Sequence, residues 1–547
     1  MSITAHAASS LPLWHAALVL APALLAAAAA LFAGSGTRID TAWRGARFAT
    51  AAALALALLS MATVLLGAVG TGFGQRADFL GAVVMLMVAF VGWVIVRFSQ
   101  PYLNGDARER HYVRWLMATL AAVGLVVATN HLLVLTLAWM ATSLALHRLL
   151  NFFGDRPAAV VAAHKKYIVA RIADLCMLAA VALFAAAFGT LHIDRIVAAA
   201  AAAPALPLPL AAQAAVLLLA LAALLKCAQL PFHGWLIQVM EAPTPVSALL
   251  HAGVVNLGGF VLMRFAPLVT EVPAAQALLV VGGAATAVLA ALVMTTRISI
   301  KVMLAWSTCA QMGFMLMQCG LGAWTMALLH LVAHGLYKAH SFLGAGGAVR
   351  RATLVQLTPR ARAPGALALA AGALLGLGMT WAAATAWGEW GAAQAAPPAI
   401  WVLAGIVALA LVPLVHAQAL RLGGWWMPAL ALGAFAVALA YFVLHKLLAT
   451  LLMPPQADSA PTWLWMAVAL AFAGLFLLQS TITVLPQGTI ARRLYPWFYG
   501  GLFLDEWFNR IAFGLWRPPV PKHADAPLPR ADTNTLTIAN ANPGTRA

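Results

Sequence analysis

Long apolar segments, separated by short polar ones, run along most of the chain. A bilayer core about 30 Å thick is crossed by about 20 apolar residues in an α-helix, and about fifteen segments of the sequence meet this requirement. They lie at residues 11–33, 46–70, 79–98, 113–127, 130–150, 167–188, 211–230, 244–265, 274–295, 301–320, 324–346, 364–387, 399–420, 427–451 and 462–485. Because the apolar residues form continuous runs, the pattern predicts spanning helices and excludes an outer-membrane β-barrel, whose strands alternate.

Composition agrees with this pattern. Of the 547 residues, 64% are hydrophobic and only 9% are charged. A soluble domain carries about a quarter of charged residues, so a water-soluble enzyme, a disordered protein and a secreted disulfide scaffold are excluded. The sequence therefore predicts an all-α polytopic membrane protein that is embedded in a lipid bilayer.

The excess of basic residues is explained by topology. Lys and Arg number 32 against 15 Asp and Glu, a formal charge of +17. In a soluble protein this would suggest nucleic acid, but basic residues also hold cytoplasmic loops in place. With the N-terminus outside, most of them fall on inside segments, among them Arg148, Arg156, Lys165, Lys166 and Arg171. We therefore predict an N-out/C-in topology and no nucleic-acid partner.

Cysteine usage gives no sign of a metal or a disulfide framework. The four cysteines, at 176, 227, 309 and 319, all lie within apolar runs, and none belongs to a CxxC pair. Buried cysteines of this kind are small core residues. We predict no cofactor in this chain.

Ionisable residues inside the apolar segments are the candidate functional groups, because such groups are costly in hydrocarbon and by default mark ion or proton paths. Lys226 lies deep in the run LALAALLKCAQLPFHGW. The alternative is a lysine that extends to the membrane surface near a helix end, since Pro231 follows five residues later.

Three further groups share one helical face. His330, His334 and Lys338 are spaced i, i+4, i+8, which places them about 6 Å apart per step. A lone histidine is more often a satisfied core residue, but three aligned groups favour a proton path. Ser247 and His251 are also i, i+4, and follow two prolines that we expect to unwind the helix start.

Arg171 and Asp174, spaced i, i+3, complete the candidates. They are expected to pair on the sixth span. The alternative to a functional pair is a structural ion pair near the inner interface.

The segment after residue 486 differs from the rest of the chain. Residues 487–517 mix aromatic and charged side chains and predict an interfacial amphipathic helix or a docking surface for a cytoplasmic partner. Residues 518–547 are rich in Pro, Ala and Asn and predict a disordered tail. The candidate docking residues are Arg492, Arg493, Tyr495, Trp497, Asp505, Glu506 and Trp507.

Four stretches resemble one known family. The runs KCAQLPFHGWLIQVMEAPTPVSALLHAGVVNLGGFVLMR (226–264), ISIKVMLAWSTCAQMGFM (298–315), HLVAHGLYKAHSFLGAG (330–346) and RIAD (171–174) are similar to signatures of the proton-translocating subunits of complex I and of Mrp-type antiporters. The resemblance implies two inverted five-helix repeats whose seventh and twelfth helices are discontinuous. Lys226 would carry protons, His251 would link the half-channels, and His330, His334 and Lys338 would extend the polar axis.

With this resemblance the chain divides into six regions. These are helices 1–3 (1–110), the first repeat with helices 4–8 (111–265), the second repeat with helices 9–13 (266–425), the C-terminal helices (426–486), the interfacial segment (487–517) and the tail (518–547).

The sequence also departs from the family pattern. The glutamate expected after the tryptophan of the fifth helix is replaced by Met140, so Asp174 becomes the candidate partner of Lys226. The charged residue of the twelfth helix is missing from its span, and Glu389 lies near the outer end.

One branch of the family fits these departures, namely the DabB subunits of two-part inorganic-carbon complexes in autotrophic bacteria. The resemblance implies a subunit of the bacterial inner membrane that conducts H⁺ or Na⁺ downhill. This flux would bias a large cytoplasmic DabA-like partner toward one-way hydration of CO2 to bicarbonate. Zinc and the chemistry would belong to the partner, so this chain would not be an enzyme, and the pair could form a higher oligomer.

Three alternatives stay open at this point. The chain could be a proton-pumping subunit of complex I or of a membrane hydrogenase, which would have quinone or iron–sulfur neighbours. It could be a subunit of a cation/proton antiporter with sodium-dependent exchange. It could also be an inert anchor that serves only to hold the partner.

Overall fold

Helices make up nearly all of the computed structural model, which describes residues 10–202, 207–348, 350, 353, 365–386, 401–412, 427–452 and 460–518. Eleven helices are long and apolar enough to cross a membrane among these residues, and shorter apolar helices lie at Leu210–Lys226, Leu369–Thr385 and Trp401–Val412. The helices of the first part of the chain, up to residue 226, are α1 (Leu13–Gly34), α2 (Ile39–Leu65), α3 (Phe79–Leu103), α4 (Glu109–Ala128), α5 (Leu132–Leu150), α6 (Pro157–Phe188), α7 (Ile193–Ala201) and α8 (Leu210–Lys226).

The second half of the chain continues in the same way. Its helices are α9 (Gly234–Gln238), α10 (Thr244–Ala252), α11 (Leu257–Arg264), α12 (Ala266–Thr270), α13 (Pro273–Met294), α14 (Ile300–Gly320), α15 (Trp324–Leu343), α16 (Ala366–Ala386), α17 (Trp401–Val412), α18 (Met427–Leu452), α19 (Thr462–Val484), α20 (Thr489–Tyr499) and α21 (Leu504–Leu515). The polytopic helical class is therefore confirmed, whereas the count of fifteen spans and the orientation stay predictions.

The all-α prediction needs one correction. Strands Gly70–Gly72 and Gln75–Ala77 pair as an antiparallel hairpin between α2 and α3. The turn residues Phe73 and Gly74 both have positive φ, 51° and 74°, as the favoured two-residue hairpin turn requires. Residues 66–70, which the apolar pattern added to the second span, therefore lie outside the helix that ends at Leu65.

Small residues allow two of the central helices to approach closely. A Cβ added at Gly283 of α13 would lie 2.5 Å from the carbonyl oxygen of Gly313 on α14, and a Cβ at Gly313 would lie equally close to the oxygen of Gly283. Glycine pairs of this kind let membrane helices pack backbone to backbone, where van der Waals contact is the main attraction.

The seventh predicted span is broken where the resemblance implies. Helix α8 ends at Lys226, the chain turns at Ala228 with a φ of 53°, and helix α9 starts at Gly234. Backbone groups freed at membrane depth need partners. Gln229 supplies one, since its amide nitrogen donates to the carbonyl of Cys227 at 2.8 Å.

The eighth span is interrupted at a different point from the predicted one. The prolines before His251 lie at the start of α10, where proline is tolerated because its missing N–H has no helical partner. The interruption instead follows His251, at Gly253 and the 3₁₀ turn Val254–Asn256. The amide of Asn256 donates to the carbonyl of Ala252 at 2.8 Å and satisfies part of the opened backbone.

The expected break of the twelfth span is absent from the residues described there. Helix α16 runs unbroken from Ala366 to Ala386, and its sequence contains no proline that would interrupt the hydrogen-bond ladder. Glu389 lies outside the described residues.

The segment 487–517 forms two short helices rather than one. Helices α20 and α21 are joined at Gly501–Phe503, where Gly501, Leu502 and Phe503 all have positive φ. Phe498, Phe508 and Ala512 are buried against the membrane helices. Of the tail predicted from residue 518 onward, only residue 518 is described.

An ion pair between a buried arginine of α11 and a partly exposed aspartate at the start of α3 joins these helices at the end of the molecule that carries the hairpin. Arg264, 4% exposed, donates to the carboxylate of Asp78, which also accepts from the N–H of Gly81 at 2.8 Å and caps α3. Burial alone would raise the pKa of Asp78, but the charges of Arg264 and Arg76 and the Gly81 N–H together hold the pKa below its ordinary value.

We expect Asp78→Asn to lower the free energy of unfolding by about 3–5 kcal/mol, because it leaves Arg264 buried without a counter-charge. A lowered carboxylate pKa stabilises the fold above the unfolded-state value of about 3.9 and loses this effect as pH falls through the folded-state pKa. Chemical unfolding in detergent between about pH 7 and pH 3 should therefore show a mutant–wild-type difference that shrinks with acid.

The control is Asp155→Asn, which removes an exposed carboxylate that lies 3.4 Å from Arg108. Such a pair contributes about 1 kcal/mol or less. Equal losses for the two variants, or a difference that does not depend on pH, would contradict the role given to Asp78.

Candidate ion path

Lys226 ends its helix among polar groups of α5. Its Nζ donates to Ser143 Oγ at 2.6 Å and to the carbonyl oxygen of Trp139 at 3.4 Å, and it lies 4.4 Å from the centre of the Trp139 ring. The side chain is only 6% exposed. Lys226 is therefore held inside the protein, and the alternative of a lysine that reaches the membrane surface is not what the structure shows.

A second lysine lies beside it that the sequence analysis assigned to a loop. Lys166, 4% exposed, donates from its Nζ to the carbonyl oxygen of Ser143. Helix α6 begins at Pro157, about three turns before the predicted span, so Lys165 and Lys166 fall within it. The sequence signal was the apolar run 157–163, which continues the helical pattern across the two lysines.

Asp174 is the carboxylate near these lysines. Its Oδ2 lies 2.6 Å from Nη2 of Arg171, so the i, i+3 pair is present, and the carboxylate also interacts electrostatically with Lys226 and Lys166. The Met140 side chain, at the position of the family glutamate, is half-buried on α5. Asp174 thus lies near Lys226 but pairs directly with Arg171, and its replacement of the missing glutamate stays a prediction.

A small cavity of about 10 Å³ adjoins the two lysines and is also lined by Ser143, Trp235 and Val254. This volume is close to the minimum for one water molecule. Together we name Ser143, Lys166, Arg171, Asp174 and Lys226 the lysine cluster. It has three cationic side chains and one carboxylate, with neutral oxygens as the direct acceptors of both lysines.

A second group of buried polar residues links α10, α14 and α15. His251 is fully buried, and its Nδ1 lies 3.0 Å from Thr308 Oγ1. His334 Nε2 lies 3.1 Å from the carbonyl oxygen of His251, and its Nδ1 lies 2.6 Å from Gln311 Oε1. His251 therefore lies beside His334 of α15, and its role as a link between the half-channels stays a prediction.

The three titratable residues of α15, namely His330, His334 and Lys338, are only partly in contact with one another. The rings of His330 and His334 are 5.9 Å apart, while Lys338 is fully buried and donates to Ser307 Oγ and to the carbonyl oxygen of Leu304 at 3.1 Å. We name His251, His330, His334 and Lys338 the histidine cluster. The sequence identified all four, but not their partners on α14, because Ser, Thr and Gln in a helix carry no signal of their own.

The lysine cluster and the histidine cluster approach each other in sequence at the interrupted eighth span. No hydrogen bond among the described residues joins one cluster to the other. Val254, which lines the cavity of the lysine cluster, follows His251 by three residues in the interrupted eighth span. The structure therefore places both clusters beside broken helices, and the roles of their residues in transport stay predictions.

The predicted docking residues separate into two sets. Tyr495, Trp497 and Trp507 are 54%, 55% and 52% exposed, and Arg492, Arg493 and Glu506 are exposed too. Asp505 differs, because its carboxylate turns inward and accepts from Lys165 at 2.7 Å. Asp505 therefore has a partner within the chain that the sequence did not predict, since an amphipathic pattern does not tell which charged residue folds back, and its assignment to a partner surface stays a prediction.

Comparison with known proteins decides the family. A profile described as "NADH:quinone oxidoreductase/Mrp antiporter, TM" matches residues 129–363, and one for the N-terminus of complex I chain 5 matches residues 65–113. An inorganic carbon transporter subunit, DabB, from Hydrogenovibrio crunogenus is 42% identical over 453 residues, which cover 81% of this chain and 83% of that protein. The chain belongs to this family of antiporter-like membrane subunits.

Other members are similar over different lengths. A second DabB subunit, from Halothiobacillus neapolitanus, is 38% identical over 94% of this chain and 96% of its own length. Subunit L of the NADH-quinone oxidoreductase of Mycobacterium tuberculosis is 33% identical over 52% of this chain and 44% of its own length.

Solved structures share the fold. The Mrp complex from Dietzia contains a chain with a TM-score of 0.52 and 25% identity, which covers 93% of this chain and 57% of that one. A chain of the archaeal membrane-bound sulfane sulfur reductase has a TM-score of 0.54 at 18% identity and covers 88% and 97%.

We expect Ser143→Ala to lower ion conduction about tenfold, because one hydroxyl orients Lys226 and a hydrogen bond to a charged group is worth about 1.5–3 kcal/mol. The matched control is Thr142→Ala, which removes a hydroxyl bonded only to the carbonyl of Ala138 within its own helix. The measurement is ion flux into vesicles that contain the assembled protein. Equal flux for wild type and Ser143→Ala would show that this hydroxyl does not position the lysine for transport.

Proposed function

We propose that the chain is the proton-conducting membrane subunit of a two-component inorganic carbon transporter in a bacterial inner membrane. The observation that carries this proposal is the lysine cluster, which lies beside a broken helix in a chain 42% identical to a DabB subunit. Ionisable side chains buried in a membrane domain are costly and are retained where an ion path needs them. The same cost argues against an inert anchor.

The chemistry of the path favours protons over sodium. Sodium requires oxygen ligands, whereas an ammonium group has three donors and no acceptor. Lysine and histidine nitrogens dominate both clusters, and the nearby carbonyls and hydroxyls already accept from them. A lysine that loses and regains a proton can pass charge along such a series without a metal-ion binding site.

The extent of the similarity favours the carbon transporter over a respiratory pump. The matched region covers 83% and 96% of two DabB subunits but only 44% of subunit L of the mycobacterial NADH-quinone oxidoreductase. An Mrp-type exchange activity is supported by the similarity to the Mrp complex and would be recognised by sodium-dependent proton exchange in vesicles.

In the proposed mechanism this chain moves protons and the partner performs the chemistry. The lysine cluster would exchange protons with one side of the membrane, and the histidine cluster would continue the route across the interrupted eighth span. The proposed partner is a large soluble zinc subunit on the cytoplasmic face, which the downhill flux would bias toward one-way hydration of CO2. The exposed rings at Tyr495, Trp497 and Trp507 provide a surface for such a partner.

We expect Lys226→Arg to abolish bicarbonate accumulation in cells that produce both subunits. Arginine keeps the positive charge but does not release its proton at physiological pH, so it separates proton transfer from a merely electrostatic role. The measurement is uptake of labelled inorganic carbon, with assembly verified by co-purification of the two subunits.

The matched control is Lys301→Arg, the same change at the first turn of α14, where the lysine donates to Thr244 Oγ1 at 2.8 Å. This variant should accumulate bicarbonate normally. Normal accumulation by an assembled Lys226→Arg complex would remove the proposed role of Lys226, and accumulation that survives an uncoupler would argue for an anchor.

A further inference from the structure

Lys165 is the third buried lysine of this region and the one with a carboxylate as its direct partner. Its side chain is 0% exposed, and its Nζ donates to both oxygens of Asp505, at 2.9 and 2.7 Å. Asp505 is the second residue of α21, in the segment that follows the last spanning helix. A short helix outside the spans therefore supplies the counter-charge of a lysine inside one.

Helix α9 provides both space and a hydrogen-bond donor for the Asp505 carboxylate. A Cβ at Gly234 would lie 1.6 Å from Asp505 Oδ1, so a side chain at that position would displace the carboxylate. Gln238 Nε2 donates to Asp505 Oδ2 at 3.1 Å. Gly234 and Gln238 both belong to α9, directly after the break that follows Lys226. Asp505 thus contacts α6 and the broken helix at the same time.

The two residues that Asp505 contacts, Lys165 and Gly234, are each next in sequence to a residue that lines the cavity of the lysine cluster. Lys165 precedes Lys166, and Gly234 precedes Trp235; Lys166 and Trp235 both line that cavity together with Lys226. Consecutive Cα atoms are about 3.8 Å apart. Asp505 therefore contacts two residues, Lys165 and Gly234, whose neighbours in sequence line the cavity.

Asp505 also reaches water, which Lys165 does not. Its side chain is 23% exposed. The other polar groups around it are Asn509, whose amide nitrogen lies 3.4 Å from Oδ2, and the imidazole of His233. Glu506, the adjacent carboxylate, points to solvent. Among the residues that the structure describes, Asp505 is thus the carboxylate of this region that is both exposed to solvent and bonded to a buried lysine.

Resting on the proposed function, we propose that Asp505 is the group at which the proton path meets water on the side of the C-terminal segment. A proton passes from water to the Asp505 carboxylate. The carboxyl then gives its proton to the Lys165 amine after that lysine has released its own proton toward the lysine cluster. Each transfer leaves the donor with one proton fewer and the acceptor with one more, and the sequence runs equally in reverse.

The position of Asp505 places the proposed entry of the proton path on the same helix as part of the exposed aromatic surface. Trp507 and Ile511, 52% and 46% exposed, lie on the outer face of the same helix that carries Asp505. A protein subunit that binds this face would bear directly on the position of the carboxylate.

The test is proton flux into proteoliposomes that contain the full chain with its partner, driven by an imposed membrane potential. We expect Asp505→Asn to lower the flux at least about tenfold, in the range that loss of one proton-transferring group produces. The matched control Asp155→Asn removes an exposed carboxylate that belongs neither to the two clusters nor to the candidate docking residues, and it should leave the flux unchanged. Wild-type flux in Asp505→Asn would overturn the proposal.

A purely structural ion pair is distinguished by a double variant. Asp505→Asn alone leaves a buried charge unpaired, whereas Lys165→Met with Asp505→Leu removes both charges, a change that proteins often tolerate. If the pair only holds α21 in place, the double variant should regain flux; the proposal requires flux to stay low while the complex remains assembled. Gly234→Ala, which displaces the carboxylate and keeps every charge, should lower flux as well.

Lys226→Arg serves as the reference in the same vesicles. Loss of flux in Lys226→Arg together with wild-type flux in Asp505→Asn would reject only the role of Asp505. Wild-type flux in both variants would reject the proposed function itself.

Discussion

The free-energy cost of burying a lysine ammonium away from water explains much of this structure. Lys165, Lys166, Lys226 and Lys338 are all buried in a chain built of apolar helices. An unpaired ammonium in such surroundings costs several kcal/mol, so each lysine must have acceptors within reach. Serine hydroxyls and main-chain carbonyls of α5 and α14 supply them for three lysines, and Asp505 supplies them for the fourth.

The nature of these acceptors bears on what the lysines can do. A carboxylate in direct contact favours the charged lysine, whereas neutral oxygens stabilise it less and leave the uncharged amine accessible. Lys226 and Lys166 share Ser143 as a direct acceptor, with Asp174 acting at longer range. With methionine at position 140, α5 supplies no carboxylate at the position where the resemblance implies a glutamate. The two lysines of the cluster therefore have neutral oxygens, rather than a carboxylate, as their direct acceptors.

The broken helices belong to the same arrangement. A continuous helix keeps its carbonyls and N–H groups within its own ladder, and only an interruption presents them to neighbours at membrane depth. The break after Lys226 brings Gly234 against the carboxylate of Asp505, and the break after His251 places Val254 at the cavity of the lysine cluster. Helix α21 thus packs against the segment that follows the first break, with Asp505 on α9 and Phe508 against Phe232.

The sequence by itself determined the membrane class and the family, because apolar run length and family motifs are local signals. It also singled out the buried Lys226, His251, His334 and Lys338, whose roles stay predictions, as does the count of spans. It did not determine that Lys165 and Lys166 lie inside a helix, that α16 is unbroken, or that Asp505 faces inward. Those features depend on which elements meet in space. A serine becomes an acceptor for Lys226, and an aspartate 340 positions away becomes the partner of Lys165, only after packing brings them together.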